Sequence, residues 1–510
     1  MDIGTIIVTE NGPSPKGFGF VVRENGEKIP VRAGQFVKVE TEEGKVIALV
    51  TNLVKTNRYF MRAEAVKEYE KGGRALKEIF PVDRWEYMVA EALPLGVFSE
   101  DGIKRVTFPP SPGQKVMIVD QKELEIFLGL REDGVEIGHL RHHQLPVKLG
   151  LTKLLQKHVA ILAISGAGKS NLASVVIEEL LKRKPEEGRP AVVVVDPHGE
   201  YRYLAEDEEL SPQVRILDGR KIKIGVQELN AYSFREFLPE MSEMQVRELQ
   251  KILEKLQAKG KEFGLEDIIV EVEAGEKMHN HLRQALEGWL FDLASLGIFD
   301  VRDFPEWGEM VRAGRAVVID LSGIYSLRKK QMLVAHIAKK LFFLRRKEKI
   351  PPFVLCVEEA HQFAPAGEAK AAAISKPILE TIGREGRKFY ASLMLISQRP
   401  VRLSTTLLSQ VNTNIILRMT NPYDLEHLKQ SSEAITKEVA EMISSLEVGE
   451  ALIVGEVVNH PVFVKVRKRN GGGGGKSFEE VAAEFEAGKS NHRDETSPVT
   501  VQNSEFSQSF

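Results

Sequence analysis

One short segment constrains the fold of this chain more than any other feature. It runs Ala163-Ile164-Ser165-Gly166-Ala167-Gly168-Lys169-Ser170 and lies between an apolar strand, 158–162, and a helical run, 171–181. A glycine-bearing turn that joins a strand to a helix and ends in Gly-Lys-Ser is typical of a phosphate-binding loop. Main-chain N–H groups and the helix N-terminus would surround the phosphate oxygens. The segment therefore predicts a P-loop domain with an α/β fold.

Each residue type in this loop has an expected task. Lys169 would reach the β- and γ-phosphates, and the Ser170 hydroxyl would bind Mg²⁺. Ala163 stands where such loops usually have their first glycine, and a methyl group is tolerated there only if the position does not need a positive φ. The residues predicted to bind the nucleotide are Gly166, Ala167, Gly168, Lys169, Ser170 and Asn171.

A second motif lies further along the chain, where the apolar run 353–357 ends in Glu358 and Glu359. An apolar strand that ends in two acids fits a Walker B element. Glu358 would hold the Mg²⁺ shell through water, and Glu359 would orient or deprotonate the attacking water. Asp is the commoner first acid, so Glu358 is a mild departure.

Two further polar segments follow. The run 383–389 contains Arg384 and Arg387, and either could act as an arginine finger on the γ-phosphate of a neighbouring subunit. Gln398 follows the strand 391–396 and is predicted to sense the γ-phosphate and position water. The alternatives are a solvated helix end for the arginines and a capping turn for Gln398.

The chain is predicted to contain two folded domains and a tail. Residues 1–145 carry short β-rich runs punctuated by Gly and Pro, which favours a small barrel or sandwich, with a helical stretch near 63–79. From 146 to 470, apolar strands alternate with helices, as in a parallel sheet buried on both faces. The expected strands are 5–8, 18–23, 35–40, 45–52 and 115–119 in the first domain, and 158–163, 191–196, 316–320, 353–357, 391–396, 413–419, 451–458 and 462–467 in the second.

Helical spacing of apolar residues predicts an inserted helical subdomain at about 231–305, either a packing insert or a dedicated binding element. A five-glycine linker follows at 471–475. It begins a polar C-terminal tail, 471–510, which is expected to be partly disordered.

Composition narrows the setting of the protein. The net charge of −3 means that any DNA contact must come from a local patch. A single cysteine, Cys356, excludes a disulfide framework and a cysteine-based zinc site. No apolar run reaches the roughly 18–20 residues that a membrane span needs, and the N-terminus does not look like a signal segment. We therefore expect a soluble, cytoplasmic protein.

The segment 364–377 is a candidate DNA-binding loop. It is rich in Gly and Ala, and Lys370 and Lys376 are its positive charges. Small residues with two lysines would allow close approach to a phosphate backbone. The alternative is an ordinary surface loop.

Taken together, the motifs resemble the HerA family in the FtsK/HerA group of P-loop ATPases. The resemblance covers about residues 1–470. It depends on Gly168-Lys169-Ser170, Asp196-Pro197-His198-Gly199-Glu200-Tyr201, Val318-Ile319-Asp320-Leu321-Ser322-Gly323, Glu358-Glu359-Ala360-His361, Arg384-Glu385-Gly386-Arg387-Lys388, Ser397-Gln398-Arg399-Pro400 and Gln410-Val411-Asn412-Thr413 with Leu417-Arg418.

This resemblance implies an N-terminal HAS-barrel-like domain, a RecA-like core with an inserted helical bundle, and a hexameric ring. It also implies ATP-driven translocation on double-stranded DNA, with a NurA-type nuclease as partner in end resection and recombinational repair. By residue matching, Glu359 is catalytic, Arg384 is the finger in trans, and Arg418 is a second nucleotide-sensing arginine in cis.

A different class of function remains open at this point. The ring could bind ATP with slow turnover and act as a scaffold or regulator of a partner effector, as in anti-phage defence complexes. ATP turnover with and without duplex DNA separates this reading from a translocase.

Overall fold

A computed structural model of the 510-residue chain describes residues 1–9, 12–23, 31–57, 66–68, 71, 86–99, 102–275, 278–367, 373–431, 435, 437–471 and short pieces within 478–486. The chain divides into two compact units, Met1–Arg469 and Asn470–Phe510. Most of the helical stretch expected near 63–79 lies outside the described residues. Among the residues that are described, no helix is long and apolar enough to cross a membrane.

The N-terminal domain is a closed barrel, as predicted. Its strands are β1 (Asp2–Ile7), β2 (Phe18–Val22), β3 (Phe36–Thr41), β4 (Gly44–Asn57), β5 (Glu86–Ser99), β6 (Gly102–Lys104) and β7 (Lys115–Ile118). The order is β2-β1-β7-β3-β4-β5-β6, and pairing of β2 with β5 closes the barrel. Alternate side chains such as Phe20, Val37 and Val116 fill its interior. The long strand β5 was not predicted.

The second domain is built on a large mixed sheet. Its strands are β8 (Val135–Leu140), β9 (Pro146–Leu149), β10 (Val159–Leu162), β11 (Ala191–Asp196), β12 (Val214–Asp218), β15 (Ala316–Asp320), β16 (Phe353–Val357), β17 (Ala391–Ser397), β18 (Thr413–Leu417), β19 (Glu450–Gly455) and β20 (Val462–Val466). A separate parallel pair consists of β13 (Ile224–Gly225) and β14 (Phe299–Asp300).

The strand order of the large sheet is β12-β15-β11-β16-β17-β10-β18-β19-β20-β8-β9. The strands from β12 to β18 in that order are parallel to one another, and the rest are antiparallel. This confirms the largely parallel sheet. Strand β8 precedes the boundary expected at 145 but pairs with β20, so the large sheet begins at residue 135 and not at about 146.

Helices cover the sheet and form the insertion. They are α1 (Gln121–Leu128), α2 (Leu151–Leu155), α3 (Lys169–Lys182), α4 (Ala231–Phe237), α5 (Glu243–Ala258), α6 (Leu265–Glu273), α7 (Asn280–Ser295), α8 (Trp307–Met310), α9 (Leu327–Arg346), α10 (Ala360–Phe363), α11 (Lys376–Glu385), α12 (Thr405–Gln410), α13 (Pro422–Ser431) and α14 (Lys437–Ser444). Helices α4 to α7 are the inserted bundle. Buried residues of α5 such as Leu249 and Leu253 lie at helical spacing and pack with the main core.

The parallel strands determine where polar side chains meet. Leu162 is level with Ser397 and Ile416, and Val357 is level with Val195 and Leu395. The loops that leave β10, β11, β16, β17 and β18 therefore emerge at one edge of the sheet, where α/β proteins usually bind ligands.

Candidate active site

The loop between β10 and α3 has the backbone that its glycines predict. Gly166 and Gly168 have φ values of 79° and 100°, in the left-handed region that favours glycine. Ala163 does not have a positive φ, and it is fully buried, with its N–H donating to the Ser397 carbonyl. An alanine therefore fits at that position, while Ser165 and Gly166 remain exposed at the loop tip.

Lys169 lies between the two acids of the second motif. Its Nζ is 2.6 Å from Glu358 Oε1 and 2.8 Å from Glu359 Oε1. Burial alone would lower the pKa of Lys169, but the two carboxylates outweigh burial and raise it. The P-loop and the end of β16 therefore form one charged centre, with the lysine protonated.

Glu358 is the more deeply buried of the two acids. It has no exposed surface, and burial raises the pKa of its carboxyl despite the neighbouring lysine. The Tyr201 hydroxyl donates to Glu358 Oε2 at 2.8 Å. Tyr201 is also fully buried, so this hydrogen bond holds the Glu358 carboxylate in the protein interior.

Asp196 explains how Tyr201 reaches that position. Its carboxylate accepts hydrogen bonds from four successive main-chain N–H groups, those of residues 198–201, at 2.8–3.2 Å. These bonds wrap the chain around the end of β11 in a tight turn and direct the tyrosine inward. The turn coincides with the 196–201 motif, in which no role had been assigned to Tyr201.

Glu359 stands at a bend in the chain. Its backbone is left-handed, with φ 50° and ψ 44°, between the end of β16 and α10. His361 Nδ1 lies 3.2 Å from Glu359 Oε2 and 3.1 Å from Ser397 Oγ. Burial lowers the pKa of His361, against the opposing effect of Glu359, so a neutral ring links the acid to the end of β17. The contacts of His361 and Ser397 were not predicted.

Gln398 and the predicted arginines differ in their exposure. Gln398 directly follows Ser397 and is partly exposed. Arg418 follows β18, and its carbonyl accepts from Ile164 in the P-loop while its side chain is exposed. Arg384 lies on α11 with its guanidinium half exposed and 3.9 Å from Glu380, so it faces solvent in the single protomer.

Asn171 has a different environment from the one expected of a nucleotide ligand. Its amide donates to the Arg467 carbonyl at 2.9 Å, and its Oδ1 accepts from the Arg469 N–H at 3.0 Å. Both ends of the side chain thus fasten the start of α3 to the segment after β20. Only the main chain of Asn171 remains available to a nucleotide, because its side chain is already bound.

The structure describes only one of the two lysines of the candidate DNA-binding loop. Lys370 lies outside the described residues. Lys376 begins α11, and its Nζ donates to the Gly367 carbonyl at 2.7 Å. Lys376 therefore holds the end of the loop in this structure, and a DNA contact by either lysine stays a prediction.

Two family models match the chain. The model for the central domain of the helicase HerA matches residues 135–341, and the HAS barrel domain model matches residues 5–98. The first match begins at β8, where the large sheet begins, and the second covers most of the barrel strands.

Whole-chain relatives agree with these matches. A probable DNA double-strand break repair helicase HerA of Methanocaldococcus jannaschii is 30% identical over 465 residues, covering 77% of this chain and 88% of the relative. The DNA double-strand break repair helicase HerA of Pyrococcus furiosus is 29% identical over 503 residues, covering 86% and 88%.

One solved structure supports the fold. VirB4 of Thermoanaerobacter pseudethanolicus superposes with a TM-score of 0.52 at 15% identity, covering 69% of this chain and 99% of that protein.

Proposed function

The chain belongs to the HerA family of P-loop ATPases, and we propose that it is an ATP-driven translocase or helicase on double-stranded DNA. The observation that carries the proposal is the charged centre in which Lys169 Nζ lies within 2.8 Å of both Glu358 and Glu359. A lysine at a glycine-bearing loop before a helix attracts phosphate, and two carboxylates beside it suit a metal and a water nucleophile.

Lys169 would exchange its carboxylate partners for phosphate oxygens when ATP binds. The P-loop N–H groups would donate hydrogen bonds to the other phosphate oxygens, because Gly166 and Gly168 hold the backbone in the required left-handed turn. Loss of the contact with Lys169 would leave Glu359, which lies beside His361, free to act on water.

The residues present fit Mg²⁺, with Ser170 binding directly and Glu358 through water. The hard oxygens of a hydroxyl and a carboxylate suit this ion. Bound there, Mg²⁺ would neutralise charge on the β- and γ-phosphate oxygens. In the described part of the chain no group of three or more His, Cys, Asp or Glu is placed to hold a metal. Phosphate oxygens and water would therefore complete the coordination.

Glu359 would act as the general base, since it is the acid beside His361, which in turn contacts Ser397. Nδ1 of the neutral imidazole lies 3.2 Å from the Glu359 carboxylate and would limit its movement without competing for the proton. Gln398, next to Ser397, would place the water against the γ-phosphate.

The wider assembly is part of the same proposal. We propose a homo-hexamer in which Arg384 reaches the nucleotide of the adjacent subunit and Arg418 contacts the nucleotide of its own. The half-exposed guanidinium of Arg384 on α11 supports a role across a subunit boundary. The names of the relatives, DNA double-strand break repair helicases, support duplex DNA as substrate. The NurA-type nuclease as partner is proposed from the family resemblance alone.

ATP turnover of the full chain, measured with and without linear duplex DNA, tests this function. We expect DNA to stimulate hydrolysis in the wild type, and Lys169→Ala to abolish hydrolysis in both conditions. Arg105→Ala serves as control, because Arg105 is exposed in the barrel domain. Slow hydrolysis that DNA does not change would favour a regulatory scaffold, and full activity of Lys169→Ala would contradict the assigned nucleotide site.

A further inference from the structure

A basic groove lies where the parallel strands of the large sheet begin, at the edge opposite the P-loop. Its volume is about 840 Å³, and its walls come from the end of α3 and from the segments before β11, β12 and β15. The basic residues that line this groove are Lys182, Arg183, Lys184, Arg189, Arg312 and Arg315, and the acidic residue is Glu209. A chain with a net charge of −3 therefore carries a local excess of positive charge here.

Most of this charge is not neutralised. Lys182 pairs with Glu209 at 2.8 Å. Arg183 donates to three main-chain carbonyls, those of Asp133, Glu187 and Gly188, which fix its guanidinium without cancelling its charge.

The other arginines of the groove are open to solvent or partly so. Arg312 and Arg315 are exposed and Arg189 is partly exposed. Within the described ranges, no carboxylate lies within 4.0 Å of any of these three guanidinium groups. They remain free to bind an anion.

The groove is separate from the nucleotide site. Strands β11 and β15 begin at the groove and end at Asp196 and Asp320, beside the P-loop edge. At about 3.3 Å per residue, these strands separate the two by roughly 15–20 Å. Changes to the groove should therefore leave ATP binding and DNA-independent hydrolysis intact.

We propose that this groove binds the phosphate backbone of duplex DNA, an inference that rests on the proposed translocase function. Arginine presents a planar fork that matches phosphate oxygens. The cations stand on three separate segments around the groove, which suits a backbone with repeated charges better than a single phosphate. Contacts to phosphates alone make the binding independent of sequence and sensitive to salt.

The test compares the wild type with the triple variant Arg189→Gln, Arg312→Gln and Arg315→Gln in the full chain. Binding of a fluorescent short duplex is measured by anisotropy over a series of KCl concentrations. The slope of log affinity against log salt should become shallower by about 2 to 3 units, since each lost phosphate contact removes about 0.9. Hydrolysis without DNA should remain at the wild-type rate, which also shows that the variant is folded.

The matched control removes the same charge elsewhere, through Arg105→Gln, Arg247→Gln and Lys261→Gln, all exposed. It should keep the wild-type slope. A second variant with Lys at all three groove positions should also keep a slope near that of the wild type, because the charge remains. Loss of slope in the Lys variant, or wild-type affinity and slope in the Gln variant, would overturn the proposal.

Duplex binding and ATP turnover of the wild type distinguish failure of this proposal from failure of the translocase function on which it rests. A wild type that neither binds duplex nor responds to it in ATP turnover contradicts the translocase itself, and the groove proposal with it. A wild type that binds and responds, beside an unaltered Gln variant, contradicts the groove alone.

Discussion

At the scale of single residues, the two adjacent acids have distinct surroundings, so substitution of each should have a different effect on the enzyme. Glu358 is sealed between Lys169 and Tyr201, whereas Glu359 contacts His361 at the chain bend. We expect Glu359→Gln to bind ATP but to hydrolyse it about 10²–10⁴-fold more slowly, because an amide cannot accept a proton. Nucleotide binding and turnover measured side by side check this. Full turnover in Glu359→Gln with loss in Glu358→Gln would mean that the two roles are exchanged.

Tyr201 offers a second test at this scale, with a built-in control. Tyr201→Phe removes the hydrogen bond to Glu358 and leaves a buried carboxylate less fixed, so the Mg²⁺ concentration for half-maximal hydrolysis should rise several-fold. Tyr203→Phe is the matched control, since the Tyr203 hydroxyl donates to Glu178 at 3.4 Å and not to the active-site acids. An unchanged Mg²⁺ requirement in Tyr201→Phe would refute the positioning role.

Residue types with fixed spacing were predictable from the sequence, and contacts across the chain were not. The geometry of the P-loop was predictable from the run 166–170, because only the glycines of that run have a positive φ. Tyr201 and Glu358 are 157 residues apart, so nothing local indicates that they meet. The motif at 196–201 stands out in the sequence, but the sequence does not show that Asp196 shapes the turn that places Tyr201 beside Glu358.

At the scale of elements, the helical insertion is tied down at its base. Strand β13 precedes the insertion and β14 follows it, and the two pair in parallel. Just beyond, Asp303 Oδ1 accepts from the Gly225 N–H at 2.7 Å and lies 2.8 Å from His336 Nε2 on α9, while Lys340 is 3.0 Å from Oδ2. The insertion is therefore fastened to α9 at this end.

The contacts of Asp303 at this end of the insertion should weaken at low pH. Burial would raise the pKa of Asp303, but hydrogen bonds from His336 and Gly225, with Lys340 nearby, lower it to about 2 from 3.8. Because the folded-state pKa is the lower one, this carboxylate stabilises the fold fully above about pH 5 and progressively less as pH falls towards 2. The contribution is about 2 kcal/mol.

Thermal unfolding midpoints of wild type and Asp303→Asn, compared between pH 7 and pH 3, measure that contribution. The gap between the two proteins should narrow as the pH falls. Asp292→Asn on α7, an exposed position, should show no such pH-dependent gap. A constant gap for Asp303→Asn across the range would contradict the assignment.

Elements with continuous apolar character were predicted well. Strands β11, β15 and β16 have the bounds that the sequence predicts, since parallel strands buried on both faces leave a clear sequence pattern. Strand β8 was missed as part of the large sheet. Its sequence, Val-Glu-Ile-Gly-His-Leu, alternates like a barrel strand, and only its pairing with β20 assigns it.

At the scale of the whole molecule, Arg384 is the residue whose role depends on assembly. If it completes the site of a neighbour, rings that mix Arg384→Ala with Lys169→Ala subunits contain some interfaces with an intact P-loop and an intact finger. Such mixtures should regain part of the ATPase activity that neither variant has alone. Turnover after subunit exchange, with native mass measurement confirming mixed rings, is the test. Mixed rings without recovery would assign Arg384 a role within its own subunit.

The attachment of Asn171 to Arg467 has a consequence for how the protein is made. These residues are 296 apart along the chain, and β20 must also be in place for the edge strands β8 and β9 to join the sheet. Contacts of such sequence separation form late and slowly. During synthesis, the P-loop helix therefore emerges long before the segment that holds it, so a nascent chain should acquire ATP binding only near completion of its second domain.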